Sequence, residues 1–338
     1  MRVGLNPHKD KPIVSVDYTY QVVIPVYIPH FNDYFKESFQ VLKLCLESLF
    51  KTVCKKTYIT LVNNGSCAIV KEYLDELSLE GKINEVIHTS NIGKINAILK
   101  GVVGHSTELV TISDADVLFL PNWQRETIKV FNQLEKVGVV GIVPQFCTFK
   151  SKCENIIFEN LFSRKLKFLP VKNQEALIRF YDSIGWKRDY NKDYLKYTLG
   201  LELNSECKVI LGSGHFVSTF RRVALKEIET YLPFKLGGPS EEYIDGLPLD
   251  YDLWRVTTYD NYAYHMGNVV EDWMLTIDYE NHDKHKENGI QDIKAITNTC
   301  KKWFQFRNKI FKYLFMNKTI LSFFYKKWGL PSASVKNY

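Results

Sequence analysis

The sequence predicts an α/β protein built on an open, Rossmann-like sheet, and two observations predict it. Between residues 17 and 145, short β-branched and aromatic runs alternate with longer stretches of helical period, the order expected of parallel strands joined by crossover helices. Polar, glycine-bearing or acidic segments then follow four of the strand candidates, where the loops of such a sheet converge on a ligand.

The strand candidates are YQVVIPVY (20–27), TYITLVN (57–63), INEVIHT (83–89), ELVTIS (108–113) and VGVVGIV (137–143). The intervening segments 34–51, 68–79, 93–103 and 122–137 carry apolar residues at helical spacing. Beyond residue 145 the alternation decays into Lys-, Phe- and Tyr-rich sequence, read as helical or irregular over 150–206. Residues 207–232 then read as a strand, a glycine turn (LGSGHF, 211–216) and a helix. A loop-rich stretch over 237–268 ends in a further strand, NYAYHMGN, leading to His265. From 291 to 330 no glycine precedes Gly329 and no proline precedes Pro331, so helices fit there.

At 338 residues the chain can bury a full core without disulfide staples. Its 44 Lys plus Arg against 38 Asp plus Glu leave +6, mildly basic, which by itself implies no nucleic-acid partner. Seven cysteines at 45, 54, 67, 147, 153, 207 and 300 form neither a C-x-x-C metal site nor a disulfide framework, so a reducing cytoplasm is expected. The first residues lack an apolar core of signal-peptide length, and no run reaches the roughly 18 apolar residues of a spanning helix.

The exit of the fourth strand candidate, TISDADV, carries Asp114 and Asp116 one residue apart. Burying two neighbouring carboxylates is costly unless a cation or water meets them. At i and i+2 they can clamp a divalent cation, directly or through water, and such a cation would neutralise a diphosphate. A pair of turn aspartates has the same spacing, and Asp250 and Asp252 repeat it, so position must decide. NNGS (63–66) could set Asn63 or Asn64 against a base or ribose, or be a favoured turn. SNIGK (90–94) brings Lys94 and helix N-terminal amides toward a phosphate, or merely starts a helix.

In the order VVIPVY, NNGS, NIGKINA and SDADV, the chain resembles the family 2 glycosyltransferases, inverting enzymes with the nucleotide-diphospho-sugar transferase fold called GT-A. The resemblance covers residues 20 to about 145 clearly and reaches about 275 more loosely. It implies a GT-A catalytic domain over 1–275, with a nucleotide-sugar half (17–145) and an acceptor half (146–275), followed by a helical extension. It also implies that Pro25, Val26, Tyr27 and Asn63 hold the base, that Asn91, Gly93, Lys94 and Ser113 line the nucleotide, and that Asp114 and Asp116 bind Mn or Mg with the donor diphosphate. His265 would complete the metal shell. This chain departs from the family pattern at Asn63, where an aspartate is usual.

Attack of a hydroxyl on an anomeric carbon needs a carboxylate to take its proton. LGGPSEEYIDGLPLDYDLW (236–254) offers Glu241, Glu242, Asp245, Asp250 and Asp252, and no Glu-Asp pair of the family type precedes the helix. Asp250 is the expected base, from its match to the base-opening segment, with Glu242 in reserve. Arg221 and Arg222 are candidate donor-phosphate contacts. The resemblance thus implies transfer of a sugar, from a UDP-sugar above other donors, to a glycan or lipid-linked glycan in surface-glycan synthesis (lipopolysaccharide, capsule or O-antigen). Two rivals stay open: a catalytically inactive scaffold or glycan-binding subunit, and a sugar nucleotidyltransferase.

The tail is distinct. Residues 301–338 hold nine Lys or Arg and no acid among interleaved aromatics, the pattern of a cationic helix lying on anionic lipid, or of one packing its apolar face on the domain. With it, 276–338 is expected to be a basic aromatic extension that brings the protein to the inner face of the cell membrane.

Overall fold

The computed structural model describes residues 4–12, 18–226, 231–237, 239–279 and 317–338, with the isolated positions 306, 309 and 311. Most of the extension after residue 279 therefore lies outside the described residues. Twelve strands are described: β1 Tyr20–Val26, β2 Thr57–Asn64, β3 Glu85–Thr89, β4 Leu109–Ser113, β5 Val117–Phe119, β6 Val137–Gly141, β7 Leu166–Pro170, β8 Tyr197–Glu202, β9 Lys208–Leu211, β10 Val217–Arg221, β11 Trp254–Thr258 and β12 Ala263–His265. The α-helices among them are α1 Ser38–Thr52, α2 Ala68–Leu79, α3 Lys94–Val102, α4 Trp123–Gln133, α5 Glu154–Asn160, α6 Gln174–Ser183, α7 Pro239–Gly246 and α8 Lys318–Lys327.

Ten strands form one sheet in the order β3-β2-β1-β4-β10-β6-β11-β9-β8-β7. The first four run parallel, as the alternation of the sequence requires. β1, β4 and β6 are almost wholly buried, because helices cover both faces and leave no polar side to alternate with. One core contains Val22, Ile24, Leu42, Leu46, Leu61 and Trp123 on one face of the sheet. Val23, Val62, Ile98 and Phe220 fill the other.

The sheet is mixed rather than all-parallel. β10 lies antiparallel between β4 and β6, although its segment reads as the start of a helix. Ser218 and Thr219 are buried within it, and both find hydroxyl partners: Ser218 Oγ lies 2.6 Å from Ser213 Oγ, and Thr219 Oγ1 is 2.8 Å from both Tyr20 Oη and Thr111 Oγ1. β7 and β8 occupy the region read as helical or irregular and extend the sheet by antiparallel pairing. A helix, α7, and a strand, β11, likewise stand in the segment read as loops.

The described end of the chain packs on the segment around Phe149, Leu161 and Phe168. Tyr325, Trp328 and Leu330 are buried, and Phe168 N donates to Trp328 O at 2.7 Å. Phe149, Phe168, Tyr325 and Tyr338 form an edge-and-face aromatic cluster. Lys318, Lys326, Lys327 and Phe323 point outward. The apolar face of this segment thus serves the core while its charge faces solvent. Among the described residues no helix is long and apolar enough to cross a membrane.

Trp328 is 3 % exposed and its Nε1 donates to Leu161 O. Trp328→Ala is expected to destabilise the protein by about 3 to 5 kcal/mol, read as a lower urea midpoint at unchanged m-value. A variant as stable as the wild type would show that this end of the chain contributes little to the core.

Candidate active site

The carboxyl ends of β1, β2 and β4 open on a cleft of about 890 Å³. Asp114 is the first residue past β4, and its backbone N–H is tied to Phe216 O at 2.7 Å, which joins the strand exit to the turn before β10. Asp116 precedes β5, a short strand paired antiparallel with β12 in a register that sets His265 opposite Val117. Met266 N donates to Asp116 O at 2.8 Å and closes that ribbon. Two segments 150 residues apart in sequence are thereby fixed side by side.

The side chains follow from these positions. Lys94 Nζ lies 2.6 Å from Asp114 Oδ1 and 2.8 Å from Oδ2. Burial works against the ammonium, but the carboxylates around it, Asp114 foremost with Glu241 and Asp116, together hold the Lys94 pKa above its ordinary value. His265 Nε2 lies 3.4 Å from Asp116 Oδ2, while its Nδ1 meets Ser183 Oγ at 2.9 Å. The imidazole is wedged against the rings of Phe180 and Phe216. Asp116 Oδ1 is buried with no hydrogen-bond partner, an expensive arrangement for a carboxylate. Burial raises the Asp116 pKa, and the charge of Asp114 raises it further, against the opposing pull of His265 and Lys94. Two carboxylates and one imidazole are a donor set that suits Mn or Mg, and an orphaned buried oxygen is what a missing cation would leave, so the residues fit such an ion. As they stand, no three His, Cys, Asp or Glu side chains among the described residues are grouped to hold one.

Of the residues expected to meet the nucleotide, Pro25, Tyr27, Asn91, Lys94 and Asp114 line the cleft. Val26 and Ser113 are fully buried, and Ser113 Oγ donates to Asp114 O. Gly93 caps α3 at φ 90°, and a Cβ there would come within 2.5 Å of Phe234 O, so it shapes the loop rather than facing the cleft. Asn63 is turned inward: its Nδ2 lies 2.9 Å from His88 Nδ1 and its Oδ1 accepts from Ser66 N. Its neighbour Asn64 reaches the cleft instead, with Oδ1 accepting from Ile92 N at 2.9 Å.

The acids of the second half are also redistributed. Asp250 and Glu242 are exposed and neither lines the cleft; Asp250 lies in the short 3-10 turn after α7, and Glu242 offers its carbonyl to Lys152 Nζ. Glu241, one residue earlier on α7, does line it and stands 3.3 Å from His215 Nε2. Asp245 is bound by the buried Arg255 at 2.6 Å, and Asp252 is buried against Lys136 and Asn155. Arg221 and Arg222 are not phosphate contacts. Arg221 Nε donates to Val137 O, and Arg222 to Thr107 O, Val102 O and Gln21 Oε1, with burial pulling both guanidinium pKa values down to about 10.

Several further residues of the cleft had no motif to announce them. Tyr34, Phe35, Phe180, Tyr181 and Trp186 line it, and Trp186 is 55 % exposed. Gln145 lines the cleft as well, as does His215 of the LGSGHF turn.

Comparison with known proteins gives three kinds of similarity. A 132-residue stretch is 26 % identical to an isoleucine–tRNA ligase of Teredinibacter turnerae, covering 38 % of this chain and 12 % of the ligase. The S. aureus TarS 1-349 structure is similar at 14 % identity and TM-score 0.43, over 73 % of this chain and 60 % of TarS 1-349. The mannosyltransferase PcManGT from Pyrobaculum calidifontis, in complex with GDP-Man and Mn2+, is similar at 12 % identity and TM-score 0.44, over 96 % of this chain and 88 % of PcManGT. Residues 25–195, half of the chain, match the sequence model of glycosyl transferase family 2, and the chain belongs to that family.

Proposed function

We propose that the protein transfers a sugar from a nucleotide-diphosphate donor to a hydroxyl acceptor, with inversion and with a divalent metal, and that Asp114, Asp116 and His265 hold the metal. The observation that carries this reading is the convergence of those three residues with Lys94 and Glu241 on one cleft at the strand ends of a family 2 chain. The domain spans 1–275 in this reading, with the nucleotide met by 17–145 and the acceptor by 146–275. When bound, Mn or Mg would neutralise the charge that develops on the leaving diphosphate.

The chain's own residues supply the rest. Pro25, Tyr27, Asn64 and Asn91 border the donor side, and a UDP-sugar is the favoured donor. Glu241 takes the acceptor hydroxyl's proton, in place of Asp250 or Glu242, because it alone of the three faces the cleft. The acceptor is a glycan or lipid-linked glycan of the cell surface, and the outward lysines of α8 bring the protein to an anionic membrane from the cytoplasmic side. An inactive scaffold would keep the cleft without turnover. A sugar nucleotidyltransferase is disfavoured by the first loop, YIPHFND, which lacks glycine.

Asp116→Asn is expected to abolish metal-dependent binding of UDP and metal-dependent release of UDP from a UDP-sugar, while leaving the circular-dichroism spectrum intact. Unchanged metal titration would remove Asp116 from the role. Glu241→Gln is expected to lower turnover by about a hundredfold to ten-thousandfold with donor affinity near that of the wild type. If Asp250→Asn or Glu242→Gln does so instead, the base lies outside the cleft wall. The full chain is expected to co-sediment with phosphatidylserine-containing vesicles at low salt, and Lys318→Glu, Lys326→Glu and Lys327→Glu together to abolish this. Equal sedimentation of both proteins would exclude an electrostatic contact through α8.

A further inference from the structure

Asp114, Asp116 and His265 all line the cleft, but among the described residues no three His, Cys, Asp or Glu side chains are grouped closely enough to hold a metal ion. Both oxygens of Asp114 are engaged by Lys94 Nζ, at 2.6 and 2.8 Å. Asp116, two residues further along the chain, has an oxygen with no hydrogen-bond partner. The positive charge beside the two carboxylates is thus unevenly shared: Asp114 is in direct contact with an ammonium, and Asp116 has His265 Nε2 at 3.4 Å and the more distant charge of Lys94.

We propose that Lys94 is a resident counter-ion that withholds Asp114 from the metal until a donor diphosphate arrives, so that metal and donor bind as a coupled pair. The inference rests on the metal-binding reading above and goes further by assigning order and linkage to it. The side chains of Lys94 and Asp114 are 15 % and 22 % exposed, so separating them in the absence of another anion strands an ammonium in a poorly solvated place. A metal ion arriving alone must impose that separation. A diphosphate arriving with it supplies new acceptor oxygens for the ammonium, and the cost disappears.

The anchoring of Lys94 suits such a transfer. Its backbone N–H is held by Lys235 O at 2.8 Å, and Gly93 is packed against Phe234 O, so the main chain is fixed at the start of α3. The side chain is a point charge on a flexible four-carbon stem and can exchange one anion for another without moving the helix. Linkage then requires reciprocity: whatever factor UDP contributes to metal affinity, the metal contributes to UDP affinity.

The test is calorimetric titration of the full chain with Mn2+ alone, and with Mn2+ at saturating UDP after correction for the Mn2+–UDP complex. Wild type is expected to bind Mn2+ alone at least tenfold more weakly than it does with UDP. Lys94→Gln is expected to bind Mn2+ alone at least tenfold more tightly than wild type and to lose most of the enhancement by UDP. Lys94→Met should repeat this, while Lys94→Arg, which keeps the charge, should retain weak binding of the metal alone. Should both neutral variants bind Mn2+ alone no more tightly than wild type, the counter-ion role is overturned, while UDP-assisted Mn2+ binding by wild type would leave the metal site standing. Absence of Mn2+ binding by every protein, with or without UDP, overturns both.

Discussion

The cleft depends on one strand running against its neighbours. β10 enters antiparallel between β4 and β6, and three buried hydroxyls, of Tyr20, Thr111 and Thr219, hold it to the parallel half of the sheet. Each hydroxyl both donates and accepts, so the triangle satisfies itself in a place where a lone hydroxyl would be costly. Burial raises the Tyr20 pKa, so that phenol stays protonated and remains able to donate. Because β10 sits there, the preceding turn delivers His215 and Phe216 to the cleft and Phe216 O to the amide of Asp114.

From that constraint the division of labour follows. The parallel strands β1, β2 and β4 end at one wall, where Pro25, Asn64 and Asp114 stand. The turn before β10, the end of β12 and the aromatic residues of α6 and its following turn build the other wall. Two arginines bind carbonyls rather than line the cleft: Arg221 that of Val137, and Arg222 those of Thr107 and Val102. The charged groups left facing the cleft are few, which makes each of them chemically expensive and informative.

What could be read from residues alone was whatever announces itself by strand-end position. Asp114 and Asp116 are conspicuous because polar residues break a buried run, and His265 because a strand-like octet leads to it. Asn63 and Asn64 are the same residue type in adjacent places, and only the pleat of β2 and the reach of His88 decide which one turns inward. Glu241 and Glu242 pose the same problem on a helix, where one residue is a rotation of about 100° and the phase of α7 is fixed by tertiary contact. β10 was hidden for another reason: VSTFRRVAL has apolar spacing compatible with a helix, and the buried Thr219 acquires its hydroxyl partners only from strands more than a hundred residues earlier. β7 and β8 carry Lys167, Pro170 and Gly200, which weaken a strand pattern, and pair mainly with each other and β9 near the sheet edge.

The two-stranded ribbon of β5 and β12 has a consequence for what changes this chain can tolerate. Side chains alternate across a strand, and His265 faces Asp116 only in the register that pairs it with Val117. Insertion of one residue between Tyr259 and Tyr262 would offer the ribbon two unequal choices: keep Ala263 against Phe119 and strain the loop, or slip and send the imidazole to the opposite face. A ribbon of three residues on each side has too little pairing of its own to enforce the first choice. Length in that loop is therefore as much a part of the site's chemistry as the identity of the histidine.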